Sequence, residues 1–195
     1  MKLEPLEPSY SYHFFNRGNN RENIFIEVDN YDYFIKLIKK YLLSVLDIYS
    51  YCLLPNHFHL VFKIRPKQLL PKKIKEDKTT LYQPFSNMFN AYTKAFNKKY
   101  NRVGSLFQKH PKRIRISNEN YLRRLILYVN TNPTHHGIAN YSEYKFSSYS
   151  ELVTQKSELL SKNEVITLFE SVENLKFVFQ QKKINIEAIK DIILE

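Results

Sequence analysis

Ten residues in the first third of the chain, Leu53-Leu54-Pro55-Asn56-His57-Phe58-His59-Leu60-Val61-Phe62, limit what it can fold into. The stretch is mostly apolar, yet Pro55 falls inside it. Proline has no N–H to give a sheet ladder and belongs at a bend or an edge rather than within a central strand. The run therefore reads as two neighbouring strands, over 48–54 and 57–64, that turn at Pro55-Asn56. On the second strand successive side chains face opposite ways, which sends His57 and His59 to one side and Phe58 and Leu60 to the other. Two imidazoles aimed into one place read either as part of a metal sphere, which they leave incomplete, or as a half-exposed sheet face that holds no metal. A third ligand and a reacting group have to come from elsewhere in the chain.

The flanking sequence supplies the other elements. Residues 9–17, Ser-Tyr-Ser-Tyr-His-Phe-Phe-Asn-Arg, are rich in aromatic side chains and end at Gly18-Asn19-Asn20, a strand followed by a turn. After Asp29 or Asn30 as cap, Phe34, Leu37, Ile38, Tyr41, Leu42 and Val45 follow helical spacing. The basic stretch 65–80, with Pro66 and Pro71, has no period and reads as a loop. A second helix over 84–100 carries the stripe Phe85, Met88, Phe89, Tyr92, Phe96 and Tyr100, which reads as core rather than as a base-stacking platform. Lys112, Arg113 and Arg115 alternate with Ile114 and Ile116 as a basic edge strand. A third helix begins at Ser117 with Glu119 in its first turn, carries Leu122, Leu125, Ile126 and Val129, and should stop near Asn132, because the residue before Pro133 is pushed out of helical conformation. Strands mixed with helices in this order give an α+β fold, one small sheet with helices packed on it. The division expected is a domain over 1–150 and a helical extension over 151–195, whose apolar residues Val165, Leu168, Phe169, Leu175, Phe177, Phe179, Ile189 and Ile192 suit packing or protein contact.

Charge narrows the partners. The formal net charge is +11, and from Lys63 to Arg124 there are 17 Lys and Arg against Glu76, Asp77 and Glu119. Positive charge confined to the middle third points to a polyanion, nucleic acid above all. The single Cys52 allows no disulfide framework and reads as a core thiol in a reducing compartment. No apolar stretch reaches the ~18 residues of a membrane span, and the N-terminus has no signal-like apolar region. A cytoplasmic protein with no membrane partner is expected.

Five stretches together carry a family likeness: Arg17-Gly18-Asn19-Asn20-Arg21, the Pro-Asn-His-Phe-His element, Gly104-Ser105-Leu106-Phe107-Gln108, Tyr128-Val129-Asn130-Thr131-Asn132-Pro133, and Phe146-Ser147-Ser148-Tyr149. Across roughly residues 9–150 the chain resembles the single-tyrosine HUH transposases, in particular the REP-associated tyrosine transposases and their insertion-sequence relatives. The resemblance implies a small antiparallel sheet flanked by helices, ferredoxin- or RRM-like, that acts on single-stranded DNA, with hairpin ends as partners. It also implies that His57 and His59 are ligands of Mg²⁺ or Mn²⁺, that Tyr128 is the nucleophile, and that Asn132, one helical turn further on, is the third ligand. His135, His136 or water stand as alternatives to Asn132. Arg17, Asn19, Asn20, Arg21, Lys112, Arg113 and Arg115 are the DNA-contact candidates, the cations on phosphates and the asparagines on base edges.

The chemistry so implied is transesterification. Tyr128 attacks the scissile phosphate, forms a 5′-phosphotyrosyl link and releases a 3′-hydroxyl that can reverse the step. Tyr121 lies on nearly the same helix face and is its decoy. Whether Tyr128 serves its own subunit or a partner across a homodimer stays open. The rival reading is a DNA- or RNA-binding regulator on the same fold that does not cut.

Overall fold

In the computed structural model, which describes residues 4–154 and 157–181, the chain runs β1 (Ser11–Arg17), α1 (Val28–Tyr41), β2 (Leu46–Leu54), β3 (His57–Ile64), α2 (Lys72–Lys75), α3 (Gln83–Lys99), β4 (Lys112–Arg115), α4 (Glu119–His135), α5 (Tyr149–Val153), α6 (Lys162–Leu168) and α7 (Val172–Gln180). The four strands form one antiparallel sheet in the order β2-β3-β1-β4. That order, from a βαββαβ succession, is the ferredoxin-like arrangement. The expected α+β class and antiparallel sheet are what the fold contains.

Strand alternation assigns the two faces. Tyr12 and Phe14 on β1 lie beside Phe62 and Leu60 on β3, all four fully buried. Helix α3 lays Phe85 and Phe89 against Phe14, and α1 brings Phe34 onto Phe58. The aromatic stripe of α3 is thus core: Phe85, Met88, Phe89, Tyr92 and Phe96 are all buried. Burying such rings contributes about 1.5–3 kcal/mol each. The opposite face, with His13, Phe15 and Arg17 of β1 beside Val61, His59 and His57 of β3, receives α4.

Several local expectations shift. The cap of α1 is Glu27, and Asn30 closes a capping box by accepting from the Ile26 and Glu27 N–H groups at 2.9 and 3.2 Å. The cap of α4 is Asn118, not Ser117: its side chain accepts from Tyr121 N–H at 2.9 Å. Pro133 does not stop α4, which runs on to His135. The proline sits in the last turn, where it forgoes one ladder bond, and the Ile138 N–H caps its carbonyl at 2.9 Å. The 65–80 loop holds the short α2.

Residues beyond β4 cover the exposed edge of β2, which would otherwise invite pairing with another chain. Leu53 N–H donates to Phe146 O, Ser148 N–H to Tyr51 O, and Ser161 N–H to Ile48 O, at 2.8–2.9 Å. The expected boundary at residue 150 falls inside α5. In α6 and α7, Val165, Leu175 and Phe179 are buried, as is Phe169 between them. Ile189 and Ile192 lie outside the described residues. Among those described, no helix is long and apolar enough to cross a membrane.

Candidate active site on the histidine face of the sheet

The site begins at the Pro55-Asn56 turn. Segment 18–25 grips it: Ile24 and Phe25 N–H both donate to Pro55 O, and Gly18 N–H donates to Asn56 O at 2.9 Å. Gly18 is demanded by space, since a Cβ there would lie 2.1 Å from the Glu22 carbonyl oxygen. With the turn fixed, β3 carries His57 and His59 onto the α4 face, 8% and 2% exposed. Their rings stand edge to face with centroids 5.2 Å apart.

Each imidazole is engaged through Nδ1. His57 Nδ1 meets Asn56 Oδ1 at 2.6 Å, and His59 Nδ1 meets His13 Nε2 at 2.9 Å. An amide oxygen only accepts, so His57 donates from Nδ1, and in the neutral ring the lone pair is then on Nε2. Nε2 is therefore the nitrogen through which a metal would be held.

Helix α4 lies across these two rings. Tyr128 is set edge-on to His59 at 6.1 Å, and His136, two turns later, is set edge-on to His57 at 4.9 Å. Asn132 sits midway between them on the same helix face, one turn from each, and so faces the histidine pair. It is fully buried, and neither its amide oxygen nor its nitrogen has a hydrogen-bond partner among the described residues. An orphaned carboxamide in a dry site costs about 1–3 kcal/mol, which a ligand at its oxygen would relieve. Two imidazole nitrogens and this amide oxygen would make a mixed nitrogen and oxygen donor set for a divalent cation with positions left open. Among the described residues no three His, Cys, Asp or Glu side chains gather as a ready-made metal cage. Asn132 offers its amide oxygen on the face that carries the two histidines.

What turns Tyr128 and Asn132 toward the histidines is a buried polar ring on the other flank of α4. Asn130 Nδ2 donates to Ser50 Oγ at 2.9 Å, and Ser148 Oγ donates to Asn130 Oδ1 at 2.8 Å. Ser50 closes the ring by donating to Ser148 Oγ at 3.1 Å, where Tyr51 N–H also arrives at 3.0 Å. Residues two apart on a helix point about 200° apart. Locking Asn130 to β2 and to the Ser148 segment thus rolls positions 128 and 132 toward β3.

His135 stacks on Tyr128 at 6.0 Å and 20°. Thr131 Oγ1 donates to Leu127 O at 2.9 Å and accepts from His135 Nε2 at 3.0 Å. Burial, and secondarily the neighbouring His136, hold the pKa of His135 below its ordinary value. Cys52, across the ladder from His59, is a fully buried thiol, as expected, with its pKa pushed up by burial.

The DNA-contact candidates separate by face. Arg17 lies directly opposite His57 in the β1–β3 ladder, half-buried, with its Nε buried and unbonded among the described residues. Lys112 pairs with Phe15 on the same face, its ammonium 5.7 Å above that ring. Arg113 and Arg115 point to the other face: Arg113 lies over Tyr82, while Arg115 stacks on Tyr10 and pairs with Glu7 at 3.3 Å. Asn19 is held by the Ser105 carbonyl at 3.0 Å. Asn20 and Arg21 are exposed and both adopt positive φ. Tyr121 is half-buried, two turns back from Tyr128.

His13 and Asn56 escaped the sequence reading as site residues. Alternation on β1 puts His13 on one face with Phe15 and Arg17, but which strand that face meets depends on the β1–β3 pairing, which sequence spacing does not specify.

Residues 7–132 match the family model described as "Transposase IS200 like". No curated protein gives a significant match. Among solved structures, a REP-associated tyrosine transposase bound to a REP hairpin is similar with a TM-score of 0.56 and 17% identity, over 83% of this chain and 93% of that one. At that identity the likeness is one of fold.

Proposed function

The chain belongs to the IS200-like transposase family, and on that premise we propose that it cleaves and rejoins single-stranded DNA, with hairpin ends as substrate, using Tyr128 as nucleophile. The observation that supports this most is the approach of the α4 tyrosine to the β3 histidines, Tyr128 to His59 at 6.1 Å, across about seventy residues of sequence. The hairpin held by the similar solved transposase adds support for the partner.

In this reading the phenol oxygen of Tyr128 attacks phosphorus and the bond to the 3′-oxygen breaks. The phenol proton leaves and the 3′-oxygen takes one up, so a 5′-phosphotyrosyl link and a 3′-hydroxyl result. The phosphodiester bond is exchanged rather than hydrolysed, and the hydroxyl can reverse the step. A tyrosine phenol ordinarily titrates near pH 10, so the reaction needs positive charge where the phenolate and phosphate meet. His57, His59 and Asn132 would hold Mg²⁺ or Mn²⁺, which supplies Lewis-acid polarisation of the phosphate and aligns the reacting oxygens. Arg17, opposite His57, contacts the phosphate backbone at the exposed mouth of the site, where His136 also lies. Tyr128 is 3% exposed.

The test is a denaturing gel of the protein with labelled single-stranded hairpin DNA and Mn²⁺. A cleaved strand with a protein–DNA adduct, lost in Tyr128→Phe and retained in Tyr121→Phe, is the expected result. DNA that is bound but intact at every metal concentration refutes the cleavage reading and leaves a non-cutting DNA- or RNA-binding regulator.

A further inference from the structure

We propose that His13 is a positioning residue for His59: its Nε2 accepts the Nδ1–H of His59 and so commits His59 to the tautomer whose Nε2 carries the lone pair that a divalent cation needs. This role rests on the metal-dependent reading of the site.

His13 and His59 are diagonal neighbours on one sheet face, because Phe15 rather than His13 is directly opposite His59 in the ladder. Their planes differ by only 16° and their centroids are 5.2 Å apart. With the two nitrogens 2.9 Å apart, that separation is the N···N distance plus the two ring radii. The rings therefore meet edge to edge, and the bond lies along the in-plane lone pair, where a ring nitrogen accepts best. Both residues are enclosed, 0% and 2% exposed, and Phe15 lies nearly parallel to each, 4.7 Å from His13 and 5.5 Å from His59. The ammonium of Lys112 lies over Phe15 in turn. Neither imidazole can rotate without displacing that ring.

Only one proton sits between the two nitrogens. If His13 supplied it from Nε2, His59 Nδ1 would be the acceptor, the His59 proton would sit on Nε2, and the ligating position would be blocked. If His59 supplies it, His13 carries its own proton on Nδ1 and His59 Nε2 can ligate. His57 needs no such arrangement, because the Asn56 oxygen facing its Nδ1 can only accept. In that second tautomer His13 does with an imidazole what the carboxylate or carbonyl partner of a metal-bound histidine ordinarily does.

The test uses the full chain. Long-range ¹⁵N–¹H correlations on the metal-free protein report the protonated ring nitrogen of each histidine, and His59 should carry its proton on Nδ1. A proton on His59 Nε2 would overturn the proposal. Mn²⁺ titration without DNA then compares wild type, His13→Leu and His13→Gln, the last placing an amide oxygen near the lost Nε2. Mn²⁺ affinity should fall about 10–100-fold in His13→Leu and stay within about threefold in His13→Gln. Equal affinity in all three, or an equal loss in both variants, overturns the role while leaving the metal site standing. No Mn²⁺ binding by wild type overturns the metal reading and this role with it. Should His13→Leu fail to fold, the wild-type tautomer decides.

Discussion

Asn130→Ala tests how α4 is aimed. Asn130 is fully buried, and its side chain bonds to Ser50, Ser148 and the Ile126 carbonyl. Its loss takes the acceptor from Ser148 O–H and one donor from Ser50 Oγ. Ser148 keeps the Tyr51 N–H, and its hydroxyl can turn back to Ser50, so one buried hydroxyl proton can be partly re-bonded. A deprived donor costs about 1–3 kcal/mol and a lost net bond about 0.5–1.5 kcal/mol, which sets the expected destabilisation near 2–3 kcal/mol. At about 2–4 °C per kcal/mol for a chain of this size, Tm should drop by about 4–12 °C. Urea unfolding followed by circular dichroism measures it, and a cycle with Ser148→Ala should show coupling of about 1–3 kcal/mol. Adduct formation in the folded variant should fall as well, because α4 is then free to roll Tyr128 away from His59. A change below about 0.5 kcal/mol, the size of a surface substitution, with additive singles and undiminished adduct, would refute the idea that this ring sets the roll of the helix.

Removing divalent cations with a chelator should abolish cleavage and Mn²⁺ should restore it, with Asn132→Ala needing about tenfold more Mn²⁺; unchanged metal dependence in that variant would discard Asn132 as ligand. Arg17→Ala and Lys112→Ala should each weaken hairpin binding and lower the salt slope by about 1, while Arg115→Ala, on the far face and paired with Glu7, leaves that slope unchanged; fluorescence anisotropy over a salt series decides. Burial first, with the Glu164 and Glu151 carboxylates adding to it, raises the phenol pKa values of Tyr49 and Tyr51. The folded state then holds protons that the unfolded chain loses near pH 10, so the stability they contribute is fully present below that pH and is lost progressively as pH rises from there toward the raised folded-state values. Tm measured between pH 8 and 11 should fall, and less steeply in the Tyr49→Phe, Tyr51→Phe double variant; identical slopes would refute the assignment.

Local pattern carried much of this structure, and its limits are physical. Strand alternation put His57 and His59 on one face, and the β3 bounds agree because Pro55 forces the turn. The Asn-Pro end of α4 misled, since a proline in a last turn costs one bond and the helix can tolerate it. The basic strand Lys112 to Arg115 could be read as basic but not divided, because a period of two sends Lys112 to one face and Arg113 and Arg115 to the other, and only the pairing with β1 tells which face holds the histidines. His13 was hidden for the same reason. A lone histidine in an aromatic strand is ordinary core until a register is known, and one residue of slip would send it to the opposite face. Register, not residue type, is what turns the His13, Phe15, Arg17 alternation into a support for His59 and a cation beside His57. It follows that changes altering the β1–β3 register, far from any reacting atom, should disable the site as completely as loss of a ligand, because they remove the His13 contact and Arg17 together.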